Sequence, residues 1–516
     1  MKKKISKILT LGLGAVMVVS CFAGCSKEKS KEAAIPQLPD YATISPKEYH
    51  FSASSGPMNG KFKRGDDELV LGPDQRNVEG YTTFKNAGFN VALLSGNCNF
   101  EQGDVWETSE CKRAFDAAVG AGIDKVIITD TRLNALIEHK ENLLGEGKIF
   151  ETEADLKDAV KVYLSAYVNE EEFYGVVLRD EPDYTYTNSY GYVYKAVKAA
   201  AEELGMDYIY INVCLLPYSR TYSRYAASGA YDNMTDAYRG YVEGYLKSTG
   251  ADSLESDVYI AREEGLAENF YVTVQTFAEL CEKYGAEWSF STQSFEMYSK
   301  SSMSYKGQGK SEMLLEMYSL MGMGCKDMKY YTYQPPYSLG ETTTFTEQYC
   351  FLTAAGEKTN TYYYGQEIMA NAQAMADIVL NYEYQGGKFY TADVVNFDVS
   401  CYTDGGLENS TNSSLKWDNS HEFTELKKVE FDNDVVFVTE LKDETNGLWM
   451  YMLQNVINPA NGGAGRTSET VTATFDSSYT YVAELKDGRL EYVKLNEGVY
   501  TKTLSAGHAV FLVPLK

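Results

Sequence analysis

The stretch best suited to chemistry is Arg179-Asp180-Glu181-Pro182, which places a guanidinium beside two adjacent carboxyls. It directly follows Phe173-Tyr174-Gly175-Val176-Val177-Leu178, an apolar run around a glycine that reads as a buried strand. Pro182 has no N–H for a sheet ladder, so the strand ends there. Ionised groups at the edge of a core are costly without partners. Two readings are open: a functional cleft, or a structural Arg–carboxylate network.

The elements that must position this stretch show in a repeated punctuation. Gly88, Gly122, Gly205, Gly250, Gly285 and Gly324 each close a helical pattern and precede a β-rich apolar run within a few residues. Glycine is the usual residue just past a helix end. The intervals are 34, 83, 45, 35 and 39 residues, and the 83 holds two units: the Glu153–Ala166 helix and the Phe173 strand lie inside it. A βα unit of about 40 residues therefore recurs, with one more strand expected in His50–Pro73. Alternating strands and helices imply a parallel sheet, and eight units imply an α/β fold of the (β/α)₈ TIM-barrel kind. A doubly wound open sheet is weakened by the lack of a GxGxxG or P-loop after an early strand. From about Gly386 the pattern turns to short β-rich runs with Asp487-Gly488 and Glu497-Gly498 as turn dipeptides, which reads as a C-terminal all-β sandwich.

The first residues, Met-Lys-Lys-Lys-Ile-Ser-Lys, precede a short apolar run, and Phe22-Ala23-Gly24-Cys25-Ser26 follows. This resembles a bacterial lipoprotein signal and cleavage box. The resemblance implies cleavage before Cys25, a diacylglycerol on its thiol, and an extracytoplasmic protein tethered to the cell membrane; Cys21 is the alternative acceptor. The expected organisation is residues 1–24 as leader, 25–45 as flexible tether, 46–383 as the barrel and 384–516 as the sandwich.

Composition narrows the partners. The chain has 516 residues, 47 Lys plus Arg against 73 Asp plus Glu, and a formal charge of −26. Such a surface argues against nucleic acid and against attraction to anionic lipid, so any membrane link is the anchor alone. The nine cysteines and four histidines are scattered, without metal-ligand or disulfide-framework spacing, so no metal or other cofactor is expected. The 43 tyrosines suit a partly wet groove, each offering an apolar face and a hydroxyl, although β-propensity alone also favours them. Oligomeric state is not legible.

In a (β/α)₈ barrel the site lies at the carboxyl ends of the strands. That rule collects Asn97 after strand two, Asp130 after strand three, Arg179, Asp180 and Glu181 after strand four, and Asp257 and Tyr259 on strand six. Strand seven adds Gln293 and Glu296, and strand eight adds Tyr333 and Gln334. Acids, amides and tyrosines on one rim are the groups a polyhydroxylated ligand needs.

Gly175–Pro182 resembles the strand-four motif of the clan A glycoside hydrolases, where Asn-Glu-Pro carries the general acid/base. The barrel followed by a β-domain, and the segment Met328–Pro336, are similar to β-galactosidase-like members. The resemblance implies that Glu181 is the acid/base of a glycoside hydrolase acting on a carbohydrate. Two positions depart from the pattern: Asp180 stands where the family has Asn, and strand seven ends Ser291-Thr292-Gln293 where the family has its nucleophilic Glu. Glu296 is then the expected second carboxylate, with Asp257 also within the expected rim. Gln293 favours the alternative of a non-catalytic carbohydrate-binding barrel. A sugar-transport binding lipoprotein is a third reading, opposed by the steady unit spacing and the terminal β-domain.

Overall fold

The computed structural model describes residues 35–64, 67–219, 221–262, 265–299, 305–335, 343–391, 415–432, 435–457 and 468–516. Cys25, and with it the leader and the lipidation site, lies outside the described residues, as do Pro336 and Cys401. Contacts divide the chain after Pro36, and Gln37–Lys516 forms one compact unit.

Eight parallel strands dominate the first part: β1 (His50–Ala53), β2 (Ala92–Leu94), β3 (Val126–Thr129), β4 (Phe173–Val177), β5 in two pieces (Tyr210–Asn212 and Cys214–Leu215), β6 (Ser253–Asp257), β7 (Glu287–Gln293) and β8 (Asp327–Tyr331). They form one sheet in the order β1-β8-β7-β6-β5 and another in the order β2-β3-β4-β5, with β5 shared through its two pieces. At the other margin β1 and β2 lie side by side, where the N–H groups of Asn90 and Val91 donate to the Phe51 carbonyl at 3.1 Å. The Asn90 side chain ties the same junction, accepting from Phe51 N–H and donating to the Tyr49 carbonyl. The first strand falls within His50–Pro73 as the glycine count requires.

Helices alternate with these strands: α1 (Val78–Asn86), α2 (Glu110–Gly120), α3 (Thr131–Ile137), α4 (Glu153–Leu164), α5 (Thr187–Glu203), α6 (Met234–Thr249), α7 (Phe270–Tyr284), α8 (Lys310–Gly322) and α9 (Asn360–Val379). Their starts are set locally. Asn77, Ser109 and Asn233 cap α1, α2 and α6 through side-chain oxygens, and Thr152 with Asp155 forms a capping box on α4. Gly250 ends α6 at φ 62°, a left-handed value glycine adopts without a Cβ clash. Gly175 in β4 has a different reason: a Cβ there would sit 1.9 Å from the Tyr210 carbonyl oxygen of β5.

Tyrosines fill the interior more than the surface. Tyr218, Tyr225, Tyr238, Tyr241 and Tyr245 stack edge to face between α6 and the loop after β5. Six cysteines among the described residues are buried, acting as small apolar groups.

The C-terminal part holds β9 (Glu383–Thr391), β10 (Leu426–Phe431), β11 (Val435–Asp443), β12 (Leu448–Asn455), β13 (Ser468–Phe475), β14 (Tyr481–Lys486), β15 (Arg489–Lys494), β16 (Val499–Ser505) and β17 (Ala509–Leu515). Two antiparallel sheets result, β9-β11-β12-β17-β14-β15 and β10-β13-β16. One core cluster draws on both, including Val438, Leu453, Val471, Phe475, Tyr500 and Leu512. Asp487-Gly488 turns β14 into β15 with both residues at positive φ, the handedness that matches a two-residue hairpin. The six-stranded sheet is bound to the strand–helix part through α7 and α8. Tyr271 packs edge-on against Phe389 and Phe437. Gln454 accepts from Ser319 and donates to the Leu315 carbonyl.

Candidate active site

The end of β4 behaves as its sequence demands. Val176 and Leu178 are buried, Asp180 is exposed, and the Glu181 N–H donates to the Cys214 carbonyl of β5 at 3.0 Å. Glu181 itself sits at φ 43°, a left-handed conformation uncommon for a residue with a side chain. Such a conformation costs on the order of 1–3 kcal/mol and persists where its surroundings over-determine it. Here α6 supplies the constraint: the hydroxyls of Tyr241 and Tyr245 donate to the carbonyls of Pro182 and Asp183 at 2.6 and 2.7 Å.

The consequence is a carboxyl pair. The Glu181 carboxyl and the Asp257 carboxyl, at the end of β6, are near enough for each to influence the other's ionisation. Asp257 is 8% exposed and Glu181 36% exposed, so one acid faces inward and the other meets solvent. Burial, then the negative charges of Glu181 and Asp180, push Asp257 well above the usual carboxylate range. Burial and the Asp180 charge also raise Glu181, against an opposing pull from Arg224, whose Nη2 is 3.8 Å from Glu181 Oε2. A buried carboxyl beside a second one keeps its proton to higher pH than an exposed carboxyl does.

Aromatic rings wall the pair. Tyr259 lies beside Asp257 and favours its charged form, and its ring stacks on Tyr331 at 5.4 Å. Phe295 and Tyr305 close the same wall, and the Arg262 guanidinium lies 4.1 Å from the centre of the Tyr305 ring. Beneath the pair, β5, β6 and β8 contribute Asn212, Glu255 and Lys329. Asn212 Nδ2 donates to Glu255 Oε2 at 2.6 Å, and Glu255 pairs with Lys329, whose charge helps balance Asp257. Among the described residues no group of three or more His, Cys, Asp or Glu is placed to hold a metal ion.

The other expected rim residues are engaged elsewhere. Asp130 is fully buried, caps α3 through Arg132 N–H, and accepts from the Arg132 guanidinium and the Tyr167 hydroxyl, which leaves it no edge for a ligand. Arg179 turns outward to pair with Glu138, over the Tyr186 ring. Gln293 accepts from Ala261 N–H and donates to the carbonyls of Phe295 and Lys306, so it is a brace for the loops around it. Glu296 begins a short hairpin strand and accepts from Gly307 N–H and the Thr346 hydroxyl. Tyr333 packs in the core between Phe84 and Phe351, and Gln334 joins Met58 N–H to the Thr353 carbonyl. Asn97 lies in the 3₁₀ turn Gly96–Cys98 after β2. Of the rim residues expected from sequence, Asp180, Glu181, Asp257 and Tyr259 come together. Arg224, Arg262 and Tyr305 join them from loops, where periodicity carries no signal.

Several known structures are similar to the chain. Each resembles it only distantly. A β-galactosidase from the psychrophilic Marinomonas ef1 shares 10% identity at a TM-score of 0.42, over 63% of this chain and 60% of its own, so this chain spans about three fifths of that protein. An α-amylase from Anoxybacillus shares 11% at 0.45, over 90% and 97%. A GH27 β-L-arabinopyranosidase from Geobacillus stearothermophilus shares 8% at 0.44, over 92% and 98%. No family model and no curated protein sequence matches the chain.

Proposed function

We propose that the chain is a glycoside hydrolase-like protein in which a (β/α)₈ barrel carries the chemistry and a C-terminal β-sandwich braces it. Its substrates on this reading are oligosaccharides or polysaccharide side chains. The observation that carries the proposal is the meeting of Glu181 and Asp257: two neighbouring carboxyls, one buried and costly to ionise, one reachable from solvent, at the carboxyl ends of β4 and β6.

In this mechanism a glycosidic oxygen enters between the two carboxyls. The proton that Asp257 holds passes to Glu181, leaving Asp257 ionised beside Tyr259 and Lys329, which favour its charged form. Glu181 gives the proton to the leaving oxygen as the glycosidic C–O bond breaks, while Asp257 bonds to the anomeric carbon. Glu181 then takes a proton from water, which displaces Asp257 and frees the sugar. Retaining enzymes hold their carboxyls ≈ 5–5.5 Å apart and inverting ones ≈ 6.5–9.5 Å. The product anomer distinguishes the two outcomes. Asp257 replaces Glu296 in the second role because Glu296 is occupied by Gly307 and Thr346.

The test is a panel of aryl glycosides with product anomers followed by NMR. Release of the aryl group that disappears in both Glu181→Gln and Asp257→Asn supports the proposal, and turnover unchanged by either substitution removes it. A second reading, a carbohydrate-binding barrel without turnover, draws on Gln293, a non-acid that is locked in place on strand seven. It predicts saturable oligosaccharide binding with no product in any variant.

We further propose that the chain is held outside the cytoplasm by a lipid on Cys25. Among the described residues no helix is long and apolar enough to cross a membrane. Membrane fractionation of Cys25→Ala tests the anchor: release into the soluble fraction supports it, and unchanged membrane association overturns it.

A further inference from the structure

The amino-terminal ends of the same strands frame a second cavity, at the opposite mouth from Glu181. It is a depression of about 410 Å³ lined by His50, Tyr174, Tyr208, Tyr210, Ser253 and Asp327 among others. Small-molecule sites commonly run from about 300 to 1,000 Å³. Below it a pocket of about 20 Å³, room for one water, reaches Asn212 and Ser289.

Its chemistry is specific. The Tyr174 ring stacks on Tyr210 at 5.5 Å and lies 5.4 Å from the ring of Tyr208, which is 52% exposed. The His50 ring meets Tyr174 edge-on at 5.8 Å. An aromatic surface is therefore open to a ligand's apolar face. The acids at the rim already have cations. Asp327 holds His50 at 2.6 Å, Asp252 holds Lys198 at 2.5 Å, Glu287 holds Lys326 at 2.8 Å, and Glu48 pairs with Lys125. That balance does not call for an ionic ligand. Hydrogen-bonding capacity is left over, however. Ser253 Oγ lines the cavity and Asn212 Oδ1 the small pocket below it; both are buried and have no hydrogen-bond partner among the described residues. The Asn212 amide orientation is fixed because its nitrogen donates to Glu255. Burying such groups unsatisfied costs about 1–3 kcal/mol each. A ligand hydroxyl exchanging a bond with Ser253, with a water in the small pocket donating to Asn212 Oδ1, would satisfy both.

We infer that this amino-terminal mouth binds a single neutral sugar ring, with Tyr174 and Tyr208 against its C–H face and Ser253 meeting one of its hydroxyls. The inference rests on this mouth alone and stands whether or not Glu181 and Asp257 turn over a substrate.

Methyl glycosides of common hexoses and pentoses test it. They are titrated into the full chain carrying Glu181→Gln, so that none is consumed, and binding is followed by calorimetry and saturation-transfer NMR. At least one should bind. Its affinity should fall about tenfold when Tyr208→Ala or Tyr174→Ala is added, the loss expected for one aromatic contact. Thermal melting checks that each variant is folded; Tyr208, being half-exposed, carries the test alone if Tyr174→Ala does not fold. If no glycoside binds, water alone fills the cavity and the inference is wrong. It is equally wrong if binding is unchanged in Tyr208→Ala, because the sugar then occupies another site.

Discussion

The Glu181 and Asp257 carboxyls come together from strands two apart in the sheet, and burial together with the Glu181 charge makes Asp257 costly to ionise. Desolvation and charge repulsion act in the same direction on Asp257, so it keeps its proton to higher pH than an exposed carboxyl does.

On the proposed mechanism, Glu181→Gln and Asp257→Asn each lower kcat by about 10²–10⁴, the usual worth of a positioned acid or base. Glu296→Gln, which loosens only Gly307 and Thr346, should retain kcat to within about tenfold. Steady-state kinetics on an aryl glycoside reads both, and equal losses at Glu296 and Asp257 would reverse the assignment.

Arg224 holds the Glu181 pKa down from 3.8 Å. Arg224→Met removes that cation, so the Glu181 pKa rises. If Glu181 must carry a proton to act, the alkaline limb of the kcat/KM profile moves to higher pH. A limb that stays fixed or moves lower would show that Glu181 is not the titrating acid.

Glu316 of α8 is fully enclosed, and burial pushes its pKa up to about 8 despite a hydrogen bond from Gln308. The folded chain keeps this proton where the unfolded chain has lost it. Stability therefore falls by about 1.4 kcal/mol per pH unit as pH rises from the ordinary carboxylate range toward 8, and levels above it. Glu316→Gln should remove that slope, as urea unfolding at pH 5 and pH 8 would show.

Lys329 and Glu255 are 11% and 3% exposed, a buried pair under the site. Lys329→Met leaves Glu255 without its counter-charge and should cost about 3–5 kcal/mol. Adding Glu255→Gln should recover part of that loss. A double-mutant cycle in urea measures the coupling, and additive losses would mean that the pair contributes nothing as a pair.

Gly175→Ala places a methyl group 1.9 Å from the Tyr210 carbonyl. The β4–β5 ladder must then spread, at a cost of about 1–3 kcal/mol typical of overpacking. Because the displaced strand carries Glu181, activity should fall beyond what the stability loss explains, and thermal melting beside kinetics separates the two effects.

Much of the fold was legible because its signals are local. The helix-ending glycines, including Gly250 at φ 62°, follow from chain geometry within a few residues. Asp487-Gly488 turns a hairpin for the same reason. The strand runs at Val435, Leu448 and Ala509 were readable from composition. The rim was less legible. Asp130, Gln293 and Gln334 have the right residue types in the right places, yet each is consumed by neighbouring backbone groups. Residue type does not reveal which way a side chain turns.

By itself, the sequence determined the alternation of strands and helices, the change to antiparallel sheets, and the placing of Glu181 where a strand must stop at Pro182. These depend on periodicity, turn chemistry and the missing proline N–H. Only the tertiary structure decided which acid meets Glu181. That depends on strand order and register, with β5 between β4 and β6, Glu181 N–H on the Cys214 carbonyl, and Cys214 opposite Glu255. It also depends on Tyr241 and Tyr245 holding the loop so that Glu181 takes its left-handed turn toward Asp257.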